Sequence, residues 1–381
     1  IKAIIDKMTL EQKVAQLFVV SPETLTGVDS VQYAGDMTYQ ALQDYSVGGI
    51  VFEKDNIDSS SQFSTMTDNL QSYSEDISGL PLFLAAAEEG GSASVLGNND
   101  NLDEYYENSY SDDDSDYSSS SANSVHSGAP SMSEIGRKDD STNAYEAGKS
   151  IGSLMSAYGL NLDLAPVADV LSGNSTGIGD RTFGTDAQTV SDMASEVIRG
   201  IQEEDVNAAM KYFPGYGAAS SNMSGFPVIN SSLDELKKKE FLPYSNAIAQ
   251  GLDFIMVGHI SVPNVTGDDT PASLSDKMIS EVLRQDLGFK GIVMTDYLND
   301  RTIVKNYSAA DAAVKAIQAG ADLLLEPDDL DAAYEGVLKA VKKGDITEDR
   351  LDESIYRILR VKLSMQDESS DTTESESVSD Y

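Results

Sequence analysis

Residues 291–296 read Gly-Ile-Val-Met-Thr-Asp, an apolar run that ends in a carboxylate. A short apolar run without polar alternation is typical of a strand buried on both faces of a parallel sheet. Seven similar runs occur along the chain: Leu17–Val20, Gly49–Phe52, Pro81–Ala87, Leu160–Pro166, Val206–Phe213, Phe254–Ile260 and Ala321–Leu325. Amphipathic helical patterns lie between them, and several end at a glycine such as Gly159 or Gly320.

Eight strand–helix repeats in one chain predict an α/β fold, a single-domain (β/α)8 TIM-type barrel. The alternative is an open doubly wound sheet that binds a dinucleotide. No Gly-x-Gly-x-x-Gly fingerprint follows the first predicted strand, which counts against that alternative.

Two segments differ from the rest in composition. Residues 92–127 are rich in Asn, Asp, Ser and Tyr and offer too little apolar surface to offset the entropy of ordering them. We predict a mobile acidic insertion after the third strand. Residues 366–381 have a similar composition and are predicted to form an acidic, Ser/Thr-rich tail or linker. The predicted barrel therefore occupies residues 1–365.

The charge balance excludes some partners. The 381 residues include 26 Lys and Arg against 64 Asp and Glu, a formal net charge of −38. Such a surface repels phosphate backbones, so nucleic acid is a poor partner. The chain has no Cys, which excludes disulfides and thiol chemistry. The first residues read as the start of a helix, so we expect any targeting segment to lie outside this sequence.

Charged side chains recur where the predicted strands end. In a barrel, the carboxyl ends of all strands meet at one face, where ligands bind. So many charges on one face predict a ligand pocket, although such residues also pair with one another to complete a barrel rim. These residues are Glu53, Glu88, Glu89, Asp169, Lys211, His259, Asp296 and Glu326.

A series of motifs resembles glycoside hydrolase family 3, specifically its single-barrel β-N-acetylglucosaminidase (β-hexosaminidase) branch. The similarity runs from Met8–Phe18 to the closing helix Thr347–Leu363. The motifs are Gly48-Gly-Ile-Val-Phe52, Glu88-Glu-Gly-Gly91, Leu164-Ala-Pro-Val-Ala-Asp169, Asp180-Arg-Thr-Phe-Gly184, Lys211-Tyr-Phe-Pro-Gly-Tyr-Gly217, Ile255-Met-Val-Gly-His-Ile260, Pro271-Ala-Ser-Leu-Ser275 and Thr295-Asp296.

The resemblance implies a retaining glycosidase mechanism with two separate groups. A carboxylate attacks the anomeric carbon, and an acid/base group about 5–5.5 Å away delivers and removes a proton. The nucleophile position of the family corresponds to Asp296. An aspartate after the buried run 291–295 is expected at the barrel mouth; its alternative role is a salt bridge at the rim.

The acid/base position departs from the family pattern. The branch carries an Asp–His pair on the loop after the fifth strand, and here those positions hold Ser221 and Met223. Between Lys211 and Asp234 the only titratable side chains are Tyr212 and Tyr216, whose pKa is ordinarily near 10. The usual proton donor is absent from this loop.

The sugar-binding positions implied by the resemblance have also changed. Ala87 replaces an Asp, and Ser92 replaces an Arg. Arg181 and Lys211 are retained and could donate to sugar hydroxyls. Either could instead pair with Glu88 or Asp169 and stabilise the rim. The predicted substrate-binding residues are Arg181, Lys211, Tyr212 (a His in the family), Glu88 and Asp300 (a Met in the family).

Three functions stay open. The first expectation is a catalytically impaired barrel that binds a glycan, or interacts with a protein, without cleaving it. An active retaining β-glycosidase is the alternative, with Asp296 as nucleophile and a relocated acid. Candidates for that acid are Asp300, Glu88, Glu326 and Tyr216. The third possibility is a cell-surface scaffold whose pocket has no ligand.

Other expectations concern the partner, the cofactor and the location. The family resemblance implies a carbohydrate ligand, cell-wall-derived or another β-linked glycan, and it implies no cofactor. The two histidines are far apart in sequence, so no metal cluster is expected. The Ser/Asp-rich segments, the absence of Cys and the family's cell-wall substrates suggest an extracellular or cell-surface location in a bacterium.

Overall fold

A computed structural model describes residues 1–102, 128–172, 178–220 and 225–376, with side chains as far as Gln366. Eight parallel strands form one sheet, and their order in the sheet follows their order in the chain. The strands are β1 (Phe18–Val20), β2 (Gly49–Val51), β3 (Phe83–Ala86), β4 (Leu162–Asp163), β5 (Asn207–Phe213), β6 (Phe254–Val257), β7 (Ile292–Thr295) and β8 (Leu324–Leu325). Each of the eight predicted apolar runs contains one of these strands.

The sheet closes into a barrel. β8 pairs with β1 through Phe18–Leu324 and Val19–Leu325. On its other side, Met294 of β7 forms a parallel bridge with Leu323, immediately before β8. The predicted (β/α)8 barrel is therefore confirmed. Several strands are shorter than predicted because the apolar runs continue into loops that are buried without strand pairing.

Helices surround the barrel. They are α1 (Lys2–Ile5), α2 (Leu10–Ala15), α3 (Pro22–Thr26), α4 (Asp36–Asp44), α5 (Ser60–Ser78), α6 (Met132–Lys138), α7 (Ser141–Ala157), α8 (Ala187–Gln202), α9 (Leu233–Lys238), α10 (Leu242–Ala249), α11 (Pro263–Thr266), α12 (Arg301–Val304), α13 (Ala309–Ala319), α14 (Leu330–Lys343) and α15 (Glu348–Glu376). A π-helix spans Lys277–Asp286, and 3₁₀ turns occupy Lys54–Asn56, Gly91–Ala93, Gly179–Arg181, Tyr216–Ala218 and Ala272–Leu274.

The Gly48-Gly49 pair permits the close approach of β1, β2 and β3. A Cβ at Gly48 would lie 2.2 Å from the Gln16 carbonyl oxygen, and one at Gly49 would lie 2.6 Å from that of Phe83. Real Cβ atoms do not approach an oxygen so closely, so any larger residue would push the strands apart. This packing explains the motif Gly48-Gly-Ile-Val-Phe52.

Parts of residues 92–127 and 366–381, the two segments of unusual composition, are ordered. Val95, Leu96 and Leu102 are buried, so the described start of the predicted insertion packs against the barrel. Residues 103–127 lie outside the described part of the chain. Helix α15 continues to Glu376, past the predicted boundary at residue 365. Met365, at that boundary, packs against the core, and backbone hydrogen bonds carry the helix onward.

Within the described ranges, no helix is both long enough and apolar enough to cross a lipid bilayer.

Candidate active site

Asp296 lies at the mouth of the barrel, immediately after β7. Its backbone N–H donates to the Val257 carbonyl of β6 at 2.9 Å, which fixes the residue to the neighbouring strand. The carboxylate Oδ1 accepts the Tyr297 backbone N–H at 2.9 Å, and Oδ2 accepts the Tyr216 hydroxyl at 3.1 Å. Both carboxylate oxygens are therefore oriented, which suits a group that must present one oxygen to an electrophilic carbon.

A buried histidine supports both donors to Asp296. The His259 side chain donates from Nε2 to the Tyr297 carbonyl at 2.8 Å, and its Nδ1 is hydrogen-bonded to the Ser273 hydroxyl at 2.7 Å. The backbone N–H of His259 donates to the Tyr216 hydroxyl at 3.0 Å. The loops after β5, β6 and β7 are thereby joined around the nucleophile position.

Tyr216 remains a neutral donor. Its burial raises the pKa well above the ordinary value for tyrosine, and the negative charge of Asp296 raises it further. The phenol therefore keeps its proton at any physiological pH. Such a group orients a carboxylate well but is a weak acid, so it transfers a proton to a leaving group poorly.

The second polar centre is built on Glu89. Arg181 donates to its carboxylate from Nε at 2.6 Å and from one terminal nitrogen at 2.7 Å. The Lys211 ammonium lies 2.5 Å from Glu89 Oε1, and both side chains of this pair are 3% exposed. Arg181 also donates to the Tyr212 hydroxyl at 2.7 Å. The rim pairing considered for Arg181 and Lys211 thus goes to Glu89, and not to Glu88 or Asp169.

The charges of this cluster stabilise one another. Burial alone would raise the pKa of Glu89, but the Lys211 charge and the Arg181 hydrogen bonds outweigh it and hold the pKa below its usual range. Burial would lower the pKa of Lys211, and the Glu89 charge raises it instead. All three groups are therefore charged. A sugar hydroxyl would add to this cluster chiefly at Arg181, whose side chain is 31% exposed.

Three of the four proposed replacement acids have structural partners. Glu88 is 1% exposed and accepts the backbone N–H groups of Leu96 at 2.8 Å and Gly97 at 3.1 Å. Asp300 caps α12 by accepting the backbone N–H and hydroxyl of Thr302. Glu326 accepts the Ser21 N–H and hydroxyl and the Thr24 hydroxyl, at 2.6, 2.9 and 2.5 Å. Of the four, Tyr216 alone hydrogen-bonds to Asp296 within the described residues.

This placement bears on two predicted substrate-binding residues. The carboxylate of Glu88 points into the 94–97 loop, because successive side chains at a strand end face opposite ways and Glu89 takes the pocket side. Asp300 remains exposed at the rim. Their contact with a sugar stays a prediction.

A buried acid lies behind the cluster. Asp169 is 1% exposed, and among the described residues neither carboxylate oxygen has a hydrogen-bond partner of good geometry. It faces the backbone N–H groups of Tyr212, Tyr216 and Gly217, but burial dominates and raises its pKa to about 7. Asp169 therefore supports the loop after β5 from beneath.

Three positions remain at which the sequence departs from the family pattern. Ala87 follows β3 and offers no polar group. Ser221 and Met223 lie outside the described residues. Among the described residues, no group of three or more His, Cys, Asp or Glu side chains could hold a metal ion.

The sequence did not reveal two contributors to the site. Tyr297 directly follows the nucleophile position, but nothing in its type or spacing indicated that its backbone holds Asp296. Glu89 was one of several strand-end charges. Only its alternation with Glu88 could have indicated which of the two faces the pocket.

Known proteins share both the sequence and the architecture. The glycosyl hydrolase family 3 N-terminal domain matches residues 119–361. A family 3 β-N-acetylglucosaminidase from Paenibacillus sp. str. FPU-7 superposes with a TM-score of 0.81 at 31% identity, over 94% of this chain and 63% of that one. This chain thus spans less than two thirds of the Paenibacillus protein.

A mycobacterial relative matches over a larger share of its own length. Beta-hexosaminidase LpqI of Mycobacterium tuberculosis is 27% identical over 362 residues, which is 92% of this chain and 82% of LpqI. The structure of LpqI gives a TM-score of 0.75 and covers 94% of this chain. With the barrel, the motifs and the family match in agreement, the chain belongs to glycosyl hydrolase family 3.

Proposed function

We propose that this chain binds a β-linked glycan at the barrel mouth and that its hydrolytic chemistry is impaired. The observation that carries the proposal is the environment of Asp296. Among the described side chains, its carboxylate is hydrogen-bonded by Tyr216, a phenol with a strongly raised pKa. In the sequence, Ser221 and Met223 stand where the family branch carries its Asp–His acid/base pair.

The binding half of the proposal rests on the groups that remain. Arg181 is partly exposed beside Tyr212, and a planar guanidinium donates well to vicinal hydroxyls. Relatives are named beta-hexosaminidase and β-N-acetylglucosaminidase, which supports a β-linked N-acetylglucosamine ligand.

An active β-glycosidase is the second candidate, and one observation favours it. Asp296 is present with both oxygens oriented, as a nucleophile requires. The donor would then be a relocated acid such as Asp300 or Glu326, a residue outside the described ranges, or a group from another chain. Removing a general acid costs about 10²–10⁴ in rate, so the two candidates differ measurably.

The test compares glycosides that need an acid with glycosides that do not. Nitrophenyl β-glycosides carry a leaving group that departs without protonation. We expect slow turnover of nitrophenyl β-N-acetylglucosaminide and none of the corresponding β-linked disaccharide. Azide, which attacks without a general base, should accelerate turnover of the nitrophenyl substrate and yield a glycosyl azide.

Two variants control the experiment. Asp296→Ala should abolish turnover of the nitrophenyl substrate, whereas Asp349→Ala, an exposed carboxylate on α15, should leave it unchanged. Hydrolysis of the disaccharide at a rate near that of the nitrophenyl substrate would contradict impairment and establish the second candidate.

A further inference from the structure

Glu326 has a backbone conformation that its residue type disfavours. It follows β8 at the barrel mouth with a φ of 44°, in the left-handed region. Within the described ranges, the other non-glycine residues with positive φ are Asp139, which caps α6, and Asp205, in the turn before β5. Aspartate tolerates this region because its short side chain bonds locally, and glutamate lacks that compensation. Pro327 adds to the cost, since a residue before proline favours extended backbone.

Hydrogen bonds from the first strand and its loop hold Glu326 in this conformation. The side chain is 7% exposed, and its carboxylate accepts the backbone N–H and hydroxyl of Ser21 and the hydroxyl of Thr24. The Glu326 backbone N–H donates to the Val19 carbonyl of β1 at 2.8 Å. Strained backbone persists only where the surrounding groups fix it in this way.

The conformation of Glu326 matters because its carbonyl holds the segment that follows Asp296. That carbonyl accepts the Asn299 backbone N–H at 2.9 Å. The segment begins at Tyr297, whose own N–H donates to Asp296 Oδ1 and whose carbonyl is held by His259 from the β6 side. A change of backbone conformation at Glu326 would turn its carbonyl away and release the β8 side of this segment.

We propose that Glu326 is a positioning residue for Asp296: its carboxylate, tied to the loop after β1, holds a strained backbone whose carbonyl fixes residues 297–299. This inference rests on the proposed function in taking Asp296 as the group that meets the anomeric carbon. It goes further by giving the loops after β1 and β8 a part in placing that group, and it separates Glu326 from the role of a relocated acid.

The first experiment compares two substitutions that both remove the carboxylate. Alanine still disfavours the left-handed region, so Glu326→Ala should release the backbone and lower kcat for nitrophenyl β-N-acetylglucosaminide about tenfold. Glycine adopts positive φ without a Cβ penalty, so Glu326→Gly should keep kcat within about threefold of the wild-type value. KM should not change in either variant, because the groups that bind the sugar are untouched.

The second experiment loosens the tether from its other end. Thr24→Val keeps the shape of the side chain and removes the hydroxyl that donates to Glu326. We expect kcat to fall about fivefold, and Thr24→Ser, which restores the hydroxyl, to return it to the wild-type value. Thr26→Val is the matched control on the same helix, because the Thr26 hydroxyl donates to the Pro22 carbonyl. Its kcat should be that of the wild type, even if its Tm falls.

Amide hydrogen exchange provides a readout that does not depend on turnover. The Glu326 carbonyl protects the Asn299 N–H. Exchange of this amide should become about tenfold faster in Glu326→Ala and about fivefold faster in Thr24→Val, and should keep the wild-type rate in Thr26→Val. Mass spectrometry of a peptide that spans residues 297–300 measures these rates.

The outcomes separate this inference from the function beneath it. Equal losses of kcat in Glu326→Ala and Glu326→Gly overturn the positioning role, because the carboxylate itself would then be required, as for a relocated acid. An unchanged kcat in Glu326→Ala, or equal losses in Thr24→Val and Thr26→Val, also overturns it. If the wild type turns over no nitrophenyl glycoside, the turnover expected from the proposed function fails, and the exchange rates alone decide: equal rates in all variants overturn the positioning role.

Discussion

At the scale of single residues, the environment of Asp296 determines what the site can do. One oxygen is held by a backbone N–H and the other by the Tyr216 hydroxyl. Tyr216 therefore fixes one oxygen of Asp296 in place, although its phenol, with a pKa raised by burial, is too weak an acid to protonate a leaving group efficiently.

Tyr216→Phe should lower kcat/KM for a nitrophenyl glycoside about tenfold. The variant removes the hydroxyl that holds Asp296 Oδ2, so the carboxylate is no longer fixed for attack. Steady-state kinetics at a single pH measures the difference. Tyr39→Phe is the matched control, because its hydroxyl donates to Asp76 at the exposed surface.

A merely structural role for Tyr216 predicts a different result. The variant would then have a lower Tm than the wild type but an unchanged kcat/KM below that Tm.

At the scale of elements, Asp169 joins the two ends of the long loop between β4 and α8 to the loop after β5. Its backbone carbonyl accepts the Thr182 hydroxyl, next to Arg181 in the loop that precedes α8. Its carboxyl group faces the loop after β5, where a Cβ at Gly215 would lie 3.3 Å from Oδ1. Burying the neutral carboxyl group costs less free energy than burying the carboxylate. Burial therefore raises the pKa of Asp169 to about 7.

Asp169→Asn should increasingly stabilise the protein relative to the wild type as the pH rises. The folded pKa is about 7 and the ordinary value is 3.8. Between these values the unfolded chain releases a proton that the folded chain retains, so the wild type loses stability as the pH rises, and above about pH 7 the loss is constant. The asparagine does not titrate. Urea unfolding at several pH values from 4 to 8 measures the difference.

Asp322→Asn provides the contrasting control. Burial would raise the pKa of Asp322, but Arg284, Arg350 and Arg357 outweigh it and lower the pKa. Its replacement should destabilise the protein by a nearly constant amount from pH 4 to 8. If Asp169→Asn likewise gave a pH-independent difference, Asp169 would be ionised in the folded protein throughout this range.

At the scale of the whole molecule, charge is the dominant feature. A net charge of −38 on 381 residues opposes the compact state through self-repulsion. The same field disfavours the approach of anionic ligands.

Salt should therefore stabilise this protein. Raising the ionic strength from about 0.01 M to about 0.15 M shortens the screening length from roughly 30 Å to roughly 8 Å. We expect Tm to increase over that range in a calorimetric scan, equally for sodium chloride and sodium sulfate at matched ionic strength. A constant or falling Tm would mean that attractive ion pairs outweigh the repulsion.

The barrel could be predicted from the sequence because its signals are local. Eight apolar runs and the helices between them follow from which residues avoid water, and each run contains an observed strand. The position of Asp296 at the barrel mouth follows from the same pattern, because it comes directly after a buried run. The predicted strand ends were less accurate, since burial continues where strand pairing stops.

The partners of each charge were decided only by the tertiary structure. Tyr216 and Asp296 are 80 residues apart in sequence and meet because β5, β6 and β7 are neighbours in the barrel. The choice of Glu89 over Glu88 as the partner of Arg181 and Lys211 depends on the direction in which each side chain leaves the end of β3. Hydrophobic patterning is a property of consecutive residues, whereas hydrogen bonds and ion pairs depend on distances that exist only once the barrel has closed.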